Sequence, residues 1–101
     1  MRRNFNPSPP LKTITGNFTF NCYTNLLVDA SSNPLTVTLD DAKNYSGKSV
    51  TIKKTDSSNN NVTITSVSPQ TIDGQSQIII NQQYSSVSLM SDGSNWHITK
   101  E

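Results

Sequence analysis

Between Ile14 and Ile98 one pattern recurs: apolar residues at every second position for a few residues, then a break. It appears in Phe18-Thr19-Phe20-Asn21-Cys22, Leu35-Thr36-Val37-Thr38-Leu39, Val50-Thr51-Ile52, Val62-Thr63-Ile64, Val87-Ser88-Leu89 and Trp96-His97-Ile98. Because successive side chains of a strand point to opposite faces, a period of two marks strands that bury one face and wet the other. The breaks are Ser31-Ser32-Asn33-Pro34, Thr55-Asp56-Ser57-Ser58-Asn59-Asn60, Asp73-Gly74 and Ser91-Asp92-Gly93-Ser94-Asn95. All are rich in residues that tolerate turn conformations.

This pattern predicts an all-β fold, an antiparallel β-sandwich or jelly-roll-like barrel of seven to nine short strands at spacings of about ten residues. The turn-rich connections predict hairpins, Ser49 to Lys54 with Asn61 to Thr65 and Ser86 to Met90 with Trp96 to Lys100. Only Asp40 to Tyr45 offers a helical turn, too short to stand alone, with Gly47 to end it. Residues 1–12 hold three prolines, two arginines and a lysine, which sheet interiors reject; they are expected to form a flexible basic arm, with residues 13–101 as a single domain.

Composition narrows the function classes. Hydrophobic residues make up 32% of the chain and charged ones 15%, so the solvent faces are Thr, Ser and Asn and the core is thin. A domain poor in apolar residues gains from self-association. A net charge of +1 leaves no electrostatic footprint for nucleic acid. No run approaches the roughly 20 apolar residues of a membrane-spanning helix, and polar residues and prolines follow Met1-Arg2-Arg3 in place of the apolar core of a signal peptide. Neither membrane insertion nor export by a signal peptide is expected.

The residues that carry catalysis are sparse. A serine or cysteine nucleophile needs a base, and His97 is the single histidine; its parity, opposite Trp96 and Ile98, turns it outward. The six aspartates, Asp29, Asp40, Asp41, Asp56, Asp73 and Asp92, all lie in or beside turns, where a carboxylate ordinarily accepts backbone N–H groups. The lone Cys22 cannot build a thiolate metal site, and the four glycines form no phosphate-binding loop. The expectation is a protein that is not an enzyme and has no catalytic residues, cofactor or metal.

Two sets of residues remain as candidates for contact. Tyr23 falls on the outer face of its strand and Tyr45 borders a loop, so both are candidate glycan-stacking residues. Where apolar residues run consecutively, in Leu26-Leu27-Val28, Ile78-Ile79-Ile80 and Leu89-Met90, one must face away from the core. Leu27, Ile79 and Met90 are therefore the candidate self-association surface.

From Thr38-Leu39-Asp40-Asp41-Ala42 through Gly47 to Lys54, Asp56-Ser57-Ser58, Val62-Thr63-Ile64 and Gln70-Thr71-Ile72-Asp73-Gly74, and then from Tyr84 to Trp96, the order of short motifs resembles the β-rich head modules of phage tail-fibre and other virion-surface proteins. The resemblance spans roughly sixty residues and ends in Ser91-Asp92-Gly93-Ser94-Asn95-Trp96. It implies a virion structural protein made in the host cytoplasm: a homotrimeric fibre-head or capsid-decoration module in host attachment, held to other virion proteins by its N-terminal arm. The alternative is a carbohydrate-binding module for a host-surface glycan. The initial Met1 and the length of 101 residues fit a free-standing head.

Overall fold

The computed structural model describes residues 11–20 and 25–101, which form nine strands in two mixed sheets around a common core. The strands are β1 (Leu11–Ile14), β2 (Phe18–Phe20), β3 (Asn25–Val28), β4 (Leu35–Leu39), β5 (Ser49–Lys54), β6 (Val62–Thr65), β7 (Gln77–Ile80), β8 (Ser86–Ser91) and β9 (Trp96–Lys100). A 3-10 turn, Ala42–Tyr45, lies between β4 and β5, as the sequence led one to expect. Leu11 and Lys12, expected in the arm, are the first two residues of β1. The arm itself, residues 1–10, lies outside the described residues.

The all-β, sandwich-like class matches the alternation, but the sheets are not antiparallel. The first sheet has the order β1-β3-β5-β8-β9 and the second β2-β4-β6-β7. Up to β6 the chain steps from one sheet to the other at every turn, so β1, β3 and β5 pair in parallel, as do β2, β4 and β6. Parallel neighbours need a crossover, and here a strand of the opposite sheet supplies it where a helix is usual. Only the last three strands reverse direction: β7 on β6, β8 on β5 and β9 on β8. The expected hairpin of β8 with β9 therefore forms. The expected hairpin of β5 with β6 does not, since these strands lie in different sheets.

The segment Thr55 to Asn60 has turn composition, but its side chains bind it to the preceding corner instead of folding it back on β5. Val50, Ile52 and Lys54 share the inward parity of β5, and all three are fully buried. The Lys54 ammonium donates to Asp56 Oδ2 at 2.8 Å, to the Ser58 carbonyl at 2.6 Å and to the Asp56 carbonyl at 3.3 Å. Asp56 in turn accepts the Ala30 N–H at 2.7 Å, and the Asn60 amide donates to the Ala30 carbonyl at 2.7 Å. Thr55 N donates to Val28 O at 2.9 Å, as Asp29 N does to Ile14 O one coil earlier. Each corner is thus bonded to the one before it, and the chain crosses to the other sheet.

The core is filled from both inner faces. Phe20, Val37, Leu39, Val62 and Ile64 from the second sheet meet Leu26, Val28, Val50, Ile52, Leu89 and Trp96 from the first, all with 1% exposure or less. A buried cation without its carboxylate partner, or the reverse, is costly, typically about 3–5 kcal/mol. Lys54→Met strands the Asp56 carboxylate and is expected to destabilise the fold by about that amount, read from the urea midpoint at unchanged m-value. A loss below about 1 kcal/mol would show that the corner is held by the loop backbone alone.

Candidate functional site

Three of the segments that carried the sequence resemblance, 38–42, 70–74 and 91–96, are brought together by the fold at one end of the sheets. Asp73 and Gly74 have φ of 49° and 82°, the positive pair of a tight hairpin turn, and close Ile72 onto Gln75 through bonds of 2.6 and 2.9 Å. The strap before this turn lies along β9: Trp96 N donates to Thr71 O at 2.9 Å, Asp73 N donates to Trp96 O at 3.0 Å, and Ile98 N donates to Asp73 Oδ1 at 3.2 Å. Asn95 Oδ1 accepts the Thr71 N–H at 3.0 Å. Gln70 reaches the other way, its Oε1 accepting from Ala42 N at 2.9 Å and its Nε2 donating to Asp41 Oδ1 at 2.7 Å.

Ser91 to Trp96 forms the turn that this strap covers. Asp92 Oδ1 accepts N–H groups from Ser94 and Asn95, each at 2.8 Å. Buried Ser91 donates its hydroxyl to Ala42 O at 2.5 Å and accepts from Gly93 N at 3.0 Å. Gly93 has φ of 93° and lies so close to Ser46 that a Cβ there would stand 3.2 Å from the Ser46 hydroxyl, so both conformation and space favour glycine. Trp96 is fully buried, its ring 5.6 Å from that of Tyr45 at 49°.

Tyr45 is therefore not a surface aromatic. It is 6% exposed, because the 3-10 turn rolls it inward onto Trp96, and its ring offers no open face for the glycan contact expected of it. Tyr23 lies outside the described residues. Leu27, Ile79 and Met90 do face away from the core, with Ile79 49% and Met90 38% exposed and Leu27 half-buried. The fold does not gather them: Leu27 and Met90 lie on the outer face of the first sheet, and Ile79 lies on that of the second, level with Thr63. Leu27 stands level with Lys53 and Ser86, and Met90 is four residues further along β8.

All six aspartates accept at least one backbone N–H: from Ser31 at Asp29, Asp41 at Asp40, Lys43 at Asp41, Ala30 and Ser58 at Asp56, Ile98 at Asp73, and Ser94 and Asn95 at Asp92. His97 is outward, as its parity requires, and sits between two of them. Its Nε2 is 2.7 Å from Asp92 Oδ2 and its Nδ1 3.6 Å from Asp73 Oδ1. The two ring nitrogens face different carboxylates, so the three groups do not converge on one point, and among the described residues no cluster of His, Cys, Asp and Glu is arranged to hold a metal ion. His97 joins the β8–β9 end to the Asp73 turn, a link that alternation alone could not reveal.

These contacts shift the carboxyl groups. Asp92 is held down to about 2 by the Asn95 N–H, His97 and the Ser94 N–H. Asp29 is lowered by Ser31, and Asp41 by the Lys43 N–H and Gln70. At Asp56 burial pushes upward, but the donors Lys54, Ser58 and Ala30 outweigh it and leave the group well below the usual carboxylate range. Comparison with protein-family models, curated proteins and solved structures finds no match.

A carboxyl group whose folded pKa lies below the unfolded value near 3.8 adds stability above that pH and loses it as pH falls toward the folded value. The melting temperature is expected to hold from pH 7 to about 5 and to fall between about pH 4 and 2. Asp92→Asn flattens that fall, because one lowered group no longer takes up a proton on unfolding. An unchanged acid limb in that variant would refute the assignment.

Proposed function

We propose that this chain is a non-enzymatic structural module of a virion surface, a fibre-head or capsid-decoration protein that works by shape and contact. One observation supports the reading above others: three of the segments that resemble virion head modules, 38–42, 70–74 and 91–96, have side chains that bind the sheets' ends together. Residues that hold turns and cover Trp96 specify a scaffold. The six aspartates, already occupied by backbone N–H groups, are poor general acids or bases for chemistry on a bound substrate.

Self-association belongs to the same reading, as a homotrimer. Because Ile79 and the Leu27 and Met90 pair lie on the outer faces of different sheets, a ring that uses them joins one surface of each subunit to a different surface of the next. A cyclic trimer, unlike a two-fold dimer, is built from such heterologous contacts. The N-terminal arm, leading into β1 at the edge of the first sheet, is the proposed tether to other virion proteins.

Mass spectrometry of purified particles tests the assignment, with stoichiometric copies expected. Light scattering after size-exclusion chromatography is expected to give three times the 11.1 kDa of one chain, with Ile79→Asp and Met90→Lys each shifting it toward monomer. Removal of residues 1–10 is expected to leave melting unchanged and to abolish incorporation. A stable monomer at micromolar concentration would overturn the trimer, and absence from particles the virion role.

A further inference from the structure

The second sheet ends on an unguarded edge. β7 has a neighbour on one side only, β6, and its residues, Gln77 to Ile80, include no charge, proline or glycine. An edge of that composition is open to pairing with another chain. Ile79 is 49% exposed on it, and Ile80 is half-buried. Where β7 ends, these two isoleucines line a depression of about 280 Å3 with Asn81, Gln82, Ser86 and Glu101. Its one charged side chain is the Glu101 carboxylate, and among the described residues no cation is within ion-pair distance of that group. Apolar side chains beside an unpaired carboxylate suit an extended ligand that is apolar at one point and cationic at another.

The chain itself carries such a segment. Arg2-Arg3-Asn4-Phe5-Asn6 holds two guanidinium groups and an aromatic ring and is free of proline, whereas Pro7, Pro9 and Pro10 separate it from β1. β1 is the far edge of the first sheet. Leu11 stands in one register row with Asn25, Thr51, Ser88 and Lys100, four inter-strand steps or roughly 19 Å from β9. Proline-rich chain advances about 3.1 Å per residue, so Phe5, six residues before Leu11, is also roughly 19 Å away at full stretch. That length crosses the first sheet and leaves nothing to reach Ile79, which belongs to the opposite sheet, about 10 Å further on. A second copy that brings its β7 edge against β1 meets no such limit.

We propose that Arg2 to Asn6 of one subunit lie along β7 of the next, with Phe5 seated against Ile79 and Ile80 and the arginines at Glu101. This rests on the self-association put forward above, names what covers Ile79, and gives the arm a partner inside the assembly. The contact joins one edge of each copy to the opposite edge of another, the heterologous kind that closes a ring.

The test uses the full chain with Phe5→p-benzoylphenylalanine, prepared in light and nitrogen-15 forms that are unfolded together, refolded and irradiated. Cross-linked peptides are expected to join position 5 to the stretch from Ile79 to Ser86, with as many light-to-heavy links as light-to-light and heavy-to-heavy together. Phe5→Ala and Glu101→Arg are each expected to weaken association, read by light scattering across a dilution series, by about tenfold. Adding Arg2→Glu and Arg3→Glu to Glu101→Arg is expected to restore it. Links confined to chains of one label would give the depression to the arm of the same subunit, and no links, or links elsewhere, would leave it without the arm; each overturns the proposal, as does association untouched by Phe5→Ala. Three copies that persist without these links fail the docking alone, whereas light-to-heavy links in an assembly of another size fail the trimer and support the docking.

Discussion

The buried ammonium of Lys54 decides how the chain is routed. A fully buried cation persists only when donors and acceptors are matched around it, and here the acceptors come from the next corner, at Asp56 and Ser58. Asp56 and Asn60 carry the connection on to Ala30 in the preceding coil. Without this set, Thr55 to Asn60 is a polar loop free to close a hairpin; with it, the loop is held sideways and β6 is delivered to the other sheet. The parallel pairing of β4 with β6 follows from that one diversion.

Strand positions were legible in the sequence, because a period of two is a local property of Phe18-Thr19-Phe20 or Leu35 to Leu39 and needs no knowledge of neighbours. Strand partners were not. Asp56-Ser57-Ser58-Asn59-Asn60 and Ser91-Asp92-Gly93-Ser94-Asn95 look alike as text, yet only the second closes a hairpin, between β8 and β9. A difference lies in what the loop carboxylates reach: Asp56 accepts from Ala30 in the preceding corner, whereas Asp92 accepts from the N–H groups of Ser94 and Asn95 in its own loop. A partial signal was present, since Lys54 shares the inward parity of Val50 and Ile52 and is followed at once by Asp56 and Ser58.

The contact residues divide in the same way. Parity sufficed for His97, Ile79 and Met90, whose outward positions depend only on their own strands. It could not place Tyr45, whose direction is set by a 3-10 turn that rolls the ring onto Trp96, a residue 51 positions later. The aspartates were read correctly as turn acceptors because that chemistry is short-range.

The alternation of the chain between sheets has a consequence for how such a protein changes size. Thr51 stands beside Asn25, 26 residues on, and Val62 beside Leu35, 27 residues on. One full circuit therefore adds one strand to each sheet at once. Duplicating such a circuit would lengthen both sheets equally and leave the Trp96 end untouched, provided the new corner repeats the Lys54, Asp56 and Ser58 set. Growth in this architecture is by whole turns of the chain, like thread on a spool, and the side chains at the corner set the pitch.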